Sequence, residues 1–397
     1  MKTIVQFITL MFLFFAASSC ENDADFKTES VSCNLDYSDH IKNKEFQSIA
    51  DKYVKKGFPG LALSVYMPDD GRWEGSAGYA DIENKIKMTP CNLQYAASIQ
   101  KTYIAVLILQ LIDEGILSPD TKIETYIPDN IKKYIANNDK ITIENLLLHN
   151  SGLEDNFGVD FLTAFYNDPM KTYTTEEFLK FLENTKPVGD PGINSHHYSD
   201  ANYMLLSMII DNITGDHVQF MQERIINHLN LSSTYYHNTT DYPKPAGLVS
   251  SYWDTYGDGR IENISDYQNN STKCFYGSGG LIVTPYDMDI FINAVFKGDL
   301  LSDELKEKIL VKKLPNDNKD WANEYYGYGL MIIEDKEHGN WYGHSGRHVG
   351  ASAFVFYNPE HDVSVSIMTN IGSFLTIKYT ELVFYYLWND LVDEIFR

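Results

Sequence analysis

The sequence has little cysteine, little proline and a deficit of positive charge. Four cysteines and 13 prolines in 397 residues exclude a disulfide-rich scaffold and a proline-rich extended chain. Lysine and arginine number 32 against 55 aspartates and glutamates, which gives a net charge of -23. So acidic a chain binds neither nucleic acid nor anionic lipid by electrostatics, and we expect no nucleic-acid partner.

The N-terminus has the pattern of a secretory signal. An apolar run from Ile4 to Ala17 is too short to span a membrane as a mature helix, and Ser18-Ser19-Cys20 follows it. This arrangement resembles a bacterial lipoprotein signal, so we expect removal of residues 1–19 and lipidation of Cys20; an ordinary signal peptide is the alternative. Residues 20–40 are polar and predict a flexible tether. The expected location is the cell envelope, lipid-anchored to a membrane and facing the periplasm or the cell surface.

Three further cysteines, Cys33, Cys91 and Cys274, lie beyond the signal. An oxidising compartment permits disulfides, and the odd number allows either one pair with a free thiol or three buried thiols. No cysteine belongs to a cluster typical of catalysis.

The stretch Ser98-Ile99-Gln100-Lys101 precedes an apolar run from Tyr103 to Ile112. The run lacks proline and glycine, and it predicts a helix buried on most faces. Ser98 is then expected at the helix N-terminus as a capping residue, with Lys101 one turn later on the same face. A lysine with a lowered pKa accepts a proton from a serine hydroxyl, so the pair is a candidate nucleophile and base.

Two motifs downstream support this interpretation. Tyr198-Ser199-Asp200 precedes an apolar helical segment, and His344-Ser345-Gly346 precedes two alternating strands. Together with Ser98-x-x-Lys101 they resemble, in order, the motifs of the serine β-lactamase and penicillin-binding superfamily. The closest branch holds class C β-lactamases, D-alanyl-D-alanine carboxypeptidases, D-aminopeptidases and related esterases.

The resemblance extends over residues 41–397. Residues 141–153 are similar to the family's Leu-Leu-x-His-Thr-Ser-Gly-Leu segment, and residues 279–288 to its Gly-Gly-Leu-x-Ser-Thr-x-x-Asp-Met segment. It implies an α+β, β-lactamase-like fold, in which an antiparallel sheet is flanked by helices from both chain ends. The sheet lobe is expected at about 41–90 and 245–397, with an inserted all-helical lobe at about 91–244.

The periodicity of the chain gives the same division. It predicts terminal helices and an N-terminal hairpin, then strands in the last quarter. The predicted elements are helices at 41–56 and 379–396, hairpin strands at 61–67 and 72–78, and strands at 326–333, 351–357 and 363–368.

The family resemblance implies a role for each site residue. Ser98 is the nucleophile, Lys101 shares its proton, and Tyr198 protonates the leaving group. His344 hydrogen-bonds Tyr198 and tunes the charge of the site.

The backbone N–H groups of Ser98 and Arg347 form an oxyanion hole. Ser345 and Gly346 line the substrate, with Gly346 allowing close approach of its backbone. The Arg347 side chain is either a ligand for a substrate carboxylate or a solvated cation.

Asp200 departs from the asparagine that is usual in the family. Ionised aspartate only accepts hydrogen bonds. It either pairs with Lys101 and raises the pKa of that lysine, or favours a substrate that carries an amine. Both effects disfavour efficient hydrolysis of cephalosporins.

The sequence therefore predicts a serine hydrolase that forms an acyl-enzyme on Ser98. D-alanyl-D-alanine carboxypeptidase-like activity, or activity on a related D-amino-acid peptide, amide or ester, is favoured over a class C-like β-lactamase or an esterase. A non-catalytic penicillin-binding or sensor protein is the alternative of another class. We expect a small peptide, amide, ester or β-lactam substrate, no cofactor and no metal. Adjacent residues such as His196 and His197 rarely present both rings to one ion, and His344 and His348 lack the glutamate of a His-Glu-x-x-His site.

Overall fold

The computed structural model describes residues 26–193, 196–236, 244–311, 314–315, 324–372 and 378–397. Residues 1–19 and Cys20, with the predicted signal and lipidation site, lie outside these ranges. Among the helices within them, none is long and apolar enough to cross a membrane.

The described residues form the following helices and strands. The helices are α1 Asn43–Lys55, α2 Gln100–Asp113, α3 Asp129–Lys132, α4 Ile143–Leu147, α5 Val159–Asn167, α6 Thr175–Leu179, α7 Asp200–Thr214, α8 His217–Met221, α9 Ser265–Thr272, α10 Pro285–Lys297, α11 Asp303–Val311 and α12 Lys378–Ile395. The longer strands are β1 Gly60–Met67, β2 Gly71–Asp81, β11 Met331–Asp335, β12 Gly339–Arg347, β13 Ser352–Asn358 and β14 Val363–Thr369. The shorter ones are β3 Ile86–Lys87, β4 Gln94–Tyr95, β5 Thr234–Tyr235, β6 Tyr252–Trp253, β7 Glu262–Asn263, β8 Ile282–Val283, β9 Leu314–Pro315 and β10 Glu324–Tyr326.

Strands from both ends of the chain build one antiparallel sheet. Its order is β3-β2-β1-β14-β13-β12-β11-β10-β9, so the N-terminal hairpin joins the C-terminal strands through the β1–β14 pair. The α+β fold and the sheet formed from both chain ends are as predicted. The chain between β3 and β9 holds most of the helices.

The two faces of the sheet are buried by different helices. Helices α1 and α12 cover one face, where Trp73, Trp341 and Phe354 join a common core. Helix α10 packs on the other face, and its Phe291 belongs to the larger core that continues into the helical region. The side chains of each strand alternate between these two cores.

Helix α2 lies at the centre of the helical region, as its apolar run predicts. Eleven of its 14 residues are buried, including Lys101. A reciprocal capping box between Thr142 and Asn145 begins α4, and Thr174 with Glu177 begins α6 in the same way.

The single strand predicted over 326–333 is wrong. The structure ends β10 at Tyr326 and begins β11 at Met331. Gly329 between them has a φ of +71°, and a Cβ there would lie 2.2 Å from Ala105 Cβ. The chain bends to let its backbone approach α2, which only glycine permits.

The flexible tether predicted over 20–40 is wrong for its described part. Thr28 hydrogen-bonds through its hydroxyl with Ser250 at 3.1 Å, and the Tyr37 hydroxyl donates to Glu74 at 2.6 Å. A disulfide joins Cys33 to Cys91. The sequence does not predict these contacts, because the residues that make them are scattered through a polar segment and do not recur with the period of a helix or a strand.

Candidate active site

The Ser98 side chain lies at a tight turn that its neighbours impose. Ala97 has a φ of 49°, a strained conformation for a residue with a Cβ, and Ala97–Ile99 form a 3₁₀ turn before α2 begins at Gln100. Ser98 therefore does not cap the helix, which corrects the sequence prediction. Its half-exposed hydroxyl instead accepts a hydrogen bond from Lys101 Nζ at 3.0 Å.

Residues 279–288, the second segment that resembles a family motif, pack against this turn. Strand β8 of this segment pairs with β4, immediately before the turn, and the Leu281 carbonyl accepts from the Ala96 N–H. Thr284 then caps α10 by accepting from the Asp287 N–H. The segment is therefore a support for the Ser98 turn and contributes no side chain to the chemistry.

Lys101 is fully buried and has three close oxygen neighbours. Besides Ser98 Oγ, its ammonium group lies 2.7 Å from the Ser278 carbonyl oxygen and 2.5 Å from Asp200 Oδ1. The pairing of Lys101 with Asp200 is the first of the two alternatives that the sequence leaves open. Burial alone lowers the pKa of Lys101, but the Asp200 charge and the hydrogen bonds to Asp200 and Tyr198 outweigh it, so the pKa is raised.

A histidine from the segment at 141–153 holds the loop of Tyr198 in place. His149 Nδ1 accepts from the Ser199 N–H at 3.2 Å and from Asn202 Nδ2 at 2.9 Å. Its ring stacks on Tyr198 with 4.2 Å between centroids. Burial lowers the pKa of His149 well below its usual value, so the ring is a neutral support for Tyr198.

The half-buried Tyr198 hydroxyl interacts with both Ser98 and Lys101. Burial raises the pKa of Tyr198, and the Lys101 charge partly opposes that shift. The phenol is thus neutral and placed to pass a proton to or from Ser98.

The predicted hydrogen bond between His344 and Tyr198 is wrong. His344 Nε2 lies 3.0 Å from the Tyr326 hydroxyl, while its Nδ1 lies 2.5 Å from the Ser345 carbonyl oxygen. The carbonyl only accepts, so Nδ1 carries the proton and Nε2 accepts from Tyr326. Burial and the Lys101 charge lower the pKa of His344 to about 3, so it is neutral at working pH.

Strand β12 passes directly beside the Ser98 turn. A Cβ on Gly346 would lie 2.0 Å from the Ala96 carbonyl oxygen, so only glycine allows this approach. The backbone of Arg347, the next residue, is thereby brought close to the nucleophile. This placement is consistent with an oxyanion hole formed by the N–H groups of Ser98 and Arg347.

Ser345 and Arg347 direct their side chains to the opposite face of the sheet. In the register of β12 and β13, His344 pairs with Val355, whereas Ser345 pairs with Phe354, which packs under α12. The Ser345 hydroxyl contacts Met331 Sδ at 3.2 Å. The Ser345 side chain thus lies away from Ser98, which corrects its predicted contact with substrate. Of the two alternatives for the Arg347 side chain, the alternation of β12 disfavours a ligand for a substrate carboxylate.

Sequence reasoning missed a second carboxylate of the site, Asp155. Its Oδ1 accepts from the Asp200 N–H at 2.9 Å, and the side chain is half-buried. Burial and the charge of Asp200 raise the pKa of Asp155 to about 7. The residue follows the family-like segment by two positions, and an acid pair at Glu154-Asp155 was its only sequence signal.

One other group of described residues brings possible metal ligands together. Atoms of Asp211, Asp216 and His217 lie within 4.8 Å of one another. Asp216 caps α8, and Asp211 accepts from the backbone and ring of His217. These hydrogen bonds account for the cluster, and we assign no metal to it.

Comparison with known proteins places this geometry in a family. Residues 46–377 match the Beta-lactamase family. The chain is 22% identical over 360 residues to the teichoic acid D-alanine hydrolase of Staphylococcus aureus, covering 89% of this chain and 79% of that protein.

Solved structures agree on the fold. The D-amino acid amidase of Ochrobactrum anthropi SV3 superposes with a TM-score of 0.76 at 23% identity, covering 89% of this chain and 98% of that one. The octameric penicillin-binding protein homologue of Pyrococcus abyssi gives a TM-score of 0.72 at 24% identity, covering 88% and 77%. Since the family match spans more than half of the chain, the protein belongs to the Beta-lactamase family of serine hydrolases.

Proposed function

We propose that the protein hydrolyses amides or esters of D-amino acids whose amino group is free. The observation that carries this proposal is the pair of carboxylates, Asp155 and Asp200, beside Lys101 in the site. When both carboxylates are ionised, their charge exceeds that of the single Lys101 ammonium group, which favours a cationic substrate. The D-configuration is supported by the similarity to a D-alanine hydrolase and a D-amino acid amidase.

The reaction follows from the arrangement around Ser98. Ser98 Oγ attacks the carbonyl carbon, and its proton passes to the minor fraction of Lys101 that is neutral, either directly or through the Tyr198 hydroxyl. The developing oxyanion accepts from the N–H groups of Ser98 and Arg347. Tyr198 donates a proton to the leaving amine or alcohol, and water then attacks the acyl-enzyme to release the acid and restore the Ser98 hydroxyl.

Asp155 supplies the proposed recognition of the amino group. Because its pKa is raised to about 7, the carboxyl is only partly ionised at neutral pH without substrate. A bound ammonium group favours the ionised form and pairs with it. An acylated amino group carries no charge and gains no such contact.

The same features disfavour the other activities that the family includes. Asp200 cannot donate to the side-chain carbonyl of a β-lactam. The Arg347 side chain, on the far face of β12, is not placed to bind the terminal carboxylate of a D-alanyl-D-alanine peptide. Both substrate types therefore serve as negative comparisons.

The test measures the rates at which the pure protein hydrolyses D-alaninamide, N-acetyl-D-alaninamide and L-alaninamide, and compares them. We expect turnover of D-alaninamide, and a preference over the acetylated form of at least tenfold, which corresponds to about 1.4 kcal/mol. Asp155→Asn is expected to raise KM for D-alaninamide and to leave KM for the acetylated amide unchanged. Asp129→Asn is the control, because it removes the same charge from a side chain that is 95% exposed. Equal rates on the free and acetylated amides, or no hydrolysis of either, would contradict the proposal.

We also propose that the mature protein is attached to the cell envelope by a lipid on Cys20. The Ser18-Ser19-Cys20 sequence after the apolar run supports this proposal. Mass spectrometry of the mature N-terminus tests it, with Cys20→Ala expected to block lipidation. An unmodified N-terminus in the native protein would refute it.

A further inference from the structure

A groove beside the catalytic site has no part in the chemistry proposed above. It has a volume of about 860 Å³ and lies between α5, the β6–β7 hairpin and the segment around Glu83. This volume is in the range of about 300–1,000 Å³ that is common for small-ligand sites. Six aromatic side chains line it: Phe26, Phe165, Tyr166, Trp253, Tyr256 and Tyr267.

Two of these rings present their faces to solvent. Tyr256 is 77% exposed and Tyr166 is 46% exposed, and the Tyr166 ring packs on Trp253 with 5.7 Å between centroids. Exposed aromatic rings gathered in one concave surface mark a binding site more often than a random surface does. Flat rings with a polar edge suit a ligand that has both apolar faces and hydroxyl groups, such as a sugar ring.

The polar groups of the groove suit the same ligand. Glu83 Oε2 accepts from Asn263 Nδ2 at 3.0 Å, and Glu262 Oε2 accepts from the Thr255 hydroxyl at 2.8 Å. Each carboxylate has further lone pairs that can accept from hydroxyl groups.

Trp253 offers the complementary group, a hydrogen-bond donor. Its side chain is only 3% exposed, and in the part of the chain that the structure describes its indole N–H reaches no acceptor. A buried donor without a partner is costly, and a ligand oxygen would satisfy it.

The charge of the groove selects against anionic ligands. Among the described residues that line it, the charged side chains are those of Glu83, Glu262 and one cation, Lys27, and the whole chain has a net charge of -23. Phosphate-bearing or carboxylate-bearing polymers are therefore repelled.

We propose that this groove binds a neutral saccharide. Helix α9 connects the groove to the catalytic site. Tyr267 lines the groove, and the next residue, Gln268, contacts His348 Nδ1 at 2.7 Å and the Gly350 N–H at 2.9 Å, just after β12. Saccharide binding in this groove does not depend on the proposed function.

The test is calorimetric titration of the whole protein with two tetrasaccharides of equal length. Chitotetraose is neutral, and the hyaluronan tetrasaccharide carries carboxylates. We expect chitotetraose to bind and the hyaluronan fragment to bind at least tenfold more weakly. Tyr256→Ala is expected to weaken chitotetraose binding at least tenfold, and Trp253→Phe, which keeps the ring but removes the N–H, severalfold. Tyr286→Ala, a 42% exposed tyrosine on α10, is the control and should bind as the wild type does.

Absence of chitotetraose binding, equal binding of the two probes, or unchanged binding by Tyr256→Ala would overturn the proposal. Tyr256 is exposed, so its variant reports on binding even if Trp253→Phe fails to fold. Hydrolysis of D-alaninamide by the wild type separates the two proposals. Turnover without chitotetraose binding refutes the groove alone, and binding without turnover refutes the proposed function alone.

Discussion

Replacing Asp200 by asparagine should shift the pH dependence of the enzyme, because Asp200 controls the protonation of Lys101. The Asp200 carboxylate lies 2.5 Å from Lys101 Nζ, and the lysine is fully buried. At an effective dielectric constant of about 20, two charges at this distance attract by about 6–7 kcal/mol. This attraction favours the charged form of Lys101, in agreement with its raised pKa.

The sign of the shift follows from the role of Lys101 as a base. Lys101 accepts the Ser98 proton only in its neutral form, and a raised pKa restricts that form to high pH. Removing the carboxylate leaves burial as the main influence, which lowers the pKa of Lys101. The pKa of Lys101 should therefore fall in Asp200→Asn, although Asp155 and the asparagine dipole remain near the ammonium group.

The assay is kcat/KM for D-alaninamide against pH, which reports groups of the free enzyme. We expect the acidic limb for Asp200→Asn to move to lower pH than in the wild type. Asp129→Asn, with the same change in net charge at an exposed position, should leave the profile where it is. Superimposable profiles for the wild type and Asp200→Asn would refute the reasoning, since Lys101 would then not be the titrating base.

Three further predictions concern the nucleophile, the close approach of β12 and the disulfide. Ser98→Ala should lower turnover by about 10⁴-fold or more with an unchanged melting temperature, and activity within tenfold of the wild type would contradict its role. Gly346→Ala places a Cβ 2.0 Å from the Ala96 carbonyl oxygen, so β12 must move, and kcat/KM should fall by about 100-fold; normal kinetics would show that the contact is dispensable. Cys33→Ser removes the bridge to Cys91, so urea denaturation should give a free energy of unfolding lower by about 2–4 kcal/mol, and an unchanged midpoint would mean that the bridge is not formed.

The sequence predicts those parts of the site that depend on short, local patterns. Ser98 and Lys101 lie one helical turn apart, so their contact follows from helix geometry. The buried helix α2 and the C-terminal strands follow equally from their apolar periodicity. The order of three motifs then identifies the family, whose fold the structure reproduces.

The remaining site features depend on tertiary contacts between distant segments. Tyr326 reaches His344 because β10 and β12 flank β11 in the sheet, which no local pattern reveals. Asp155 meets Asp200 across 45 residues. The face that Ser345 occupies depends on strand register, and a shift by one residue would reverse it.

The docking of the N-terminal segment determines how far the domain can stand from its proposed anchor. Between Cys20 and Phe26, which is buried, the chain can span at most about 20 Å in any conformation. If the segment were free as far as residue 40, the chain could span about 70 Å instead. The volume around a lipid on Cys20 that the domain can reach is therefore roughly 40-fold smaller than with a free segment. If the proposed lipid is present, so short a connection would confine hydrolysis to substrates next to the membrane and raise their effective concentration there.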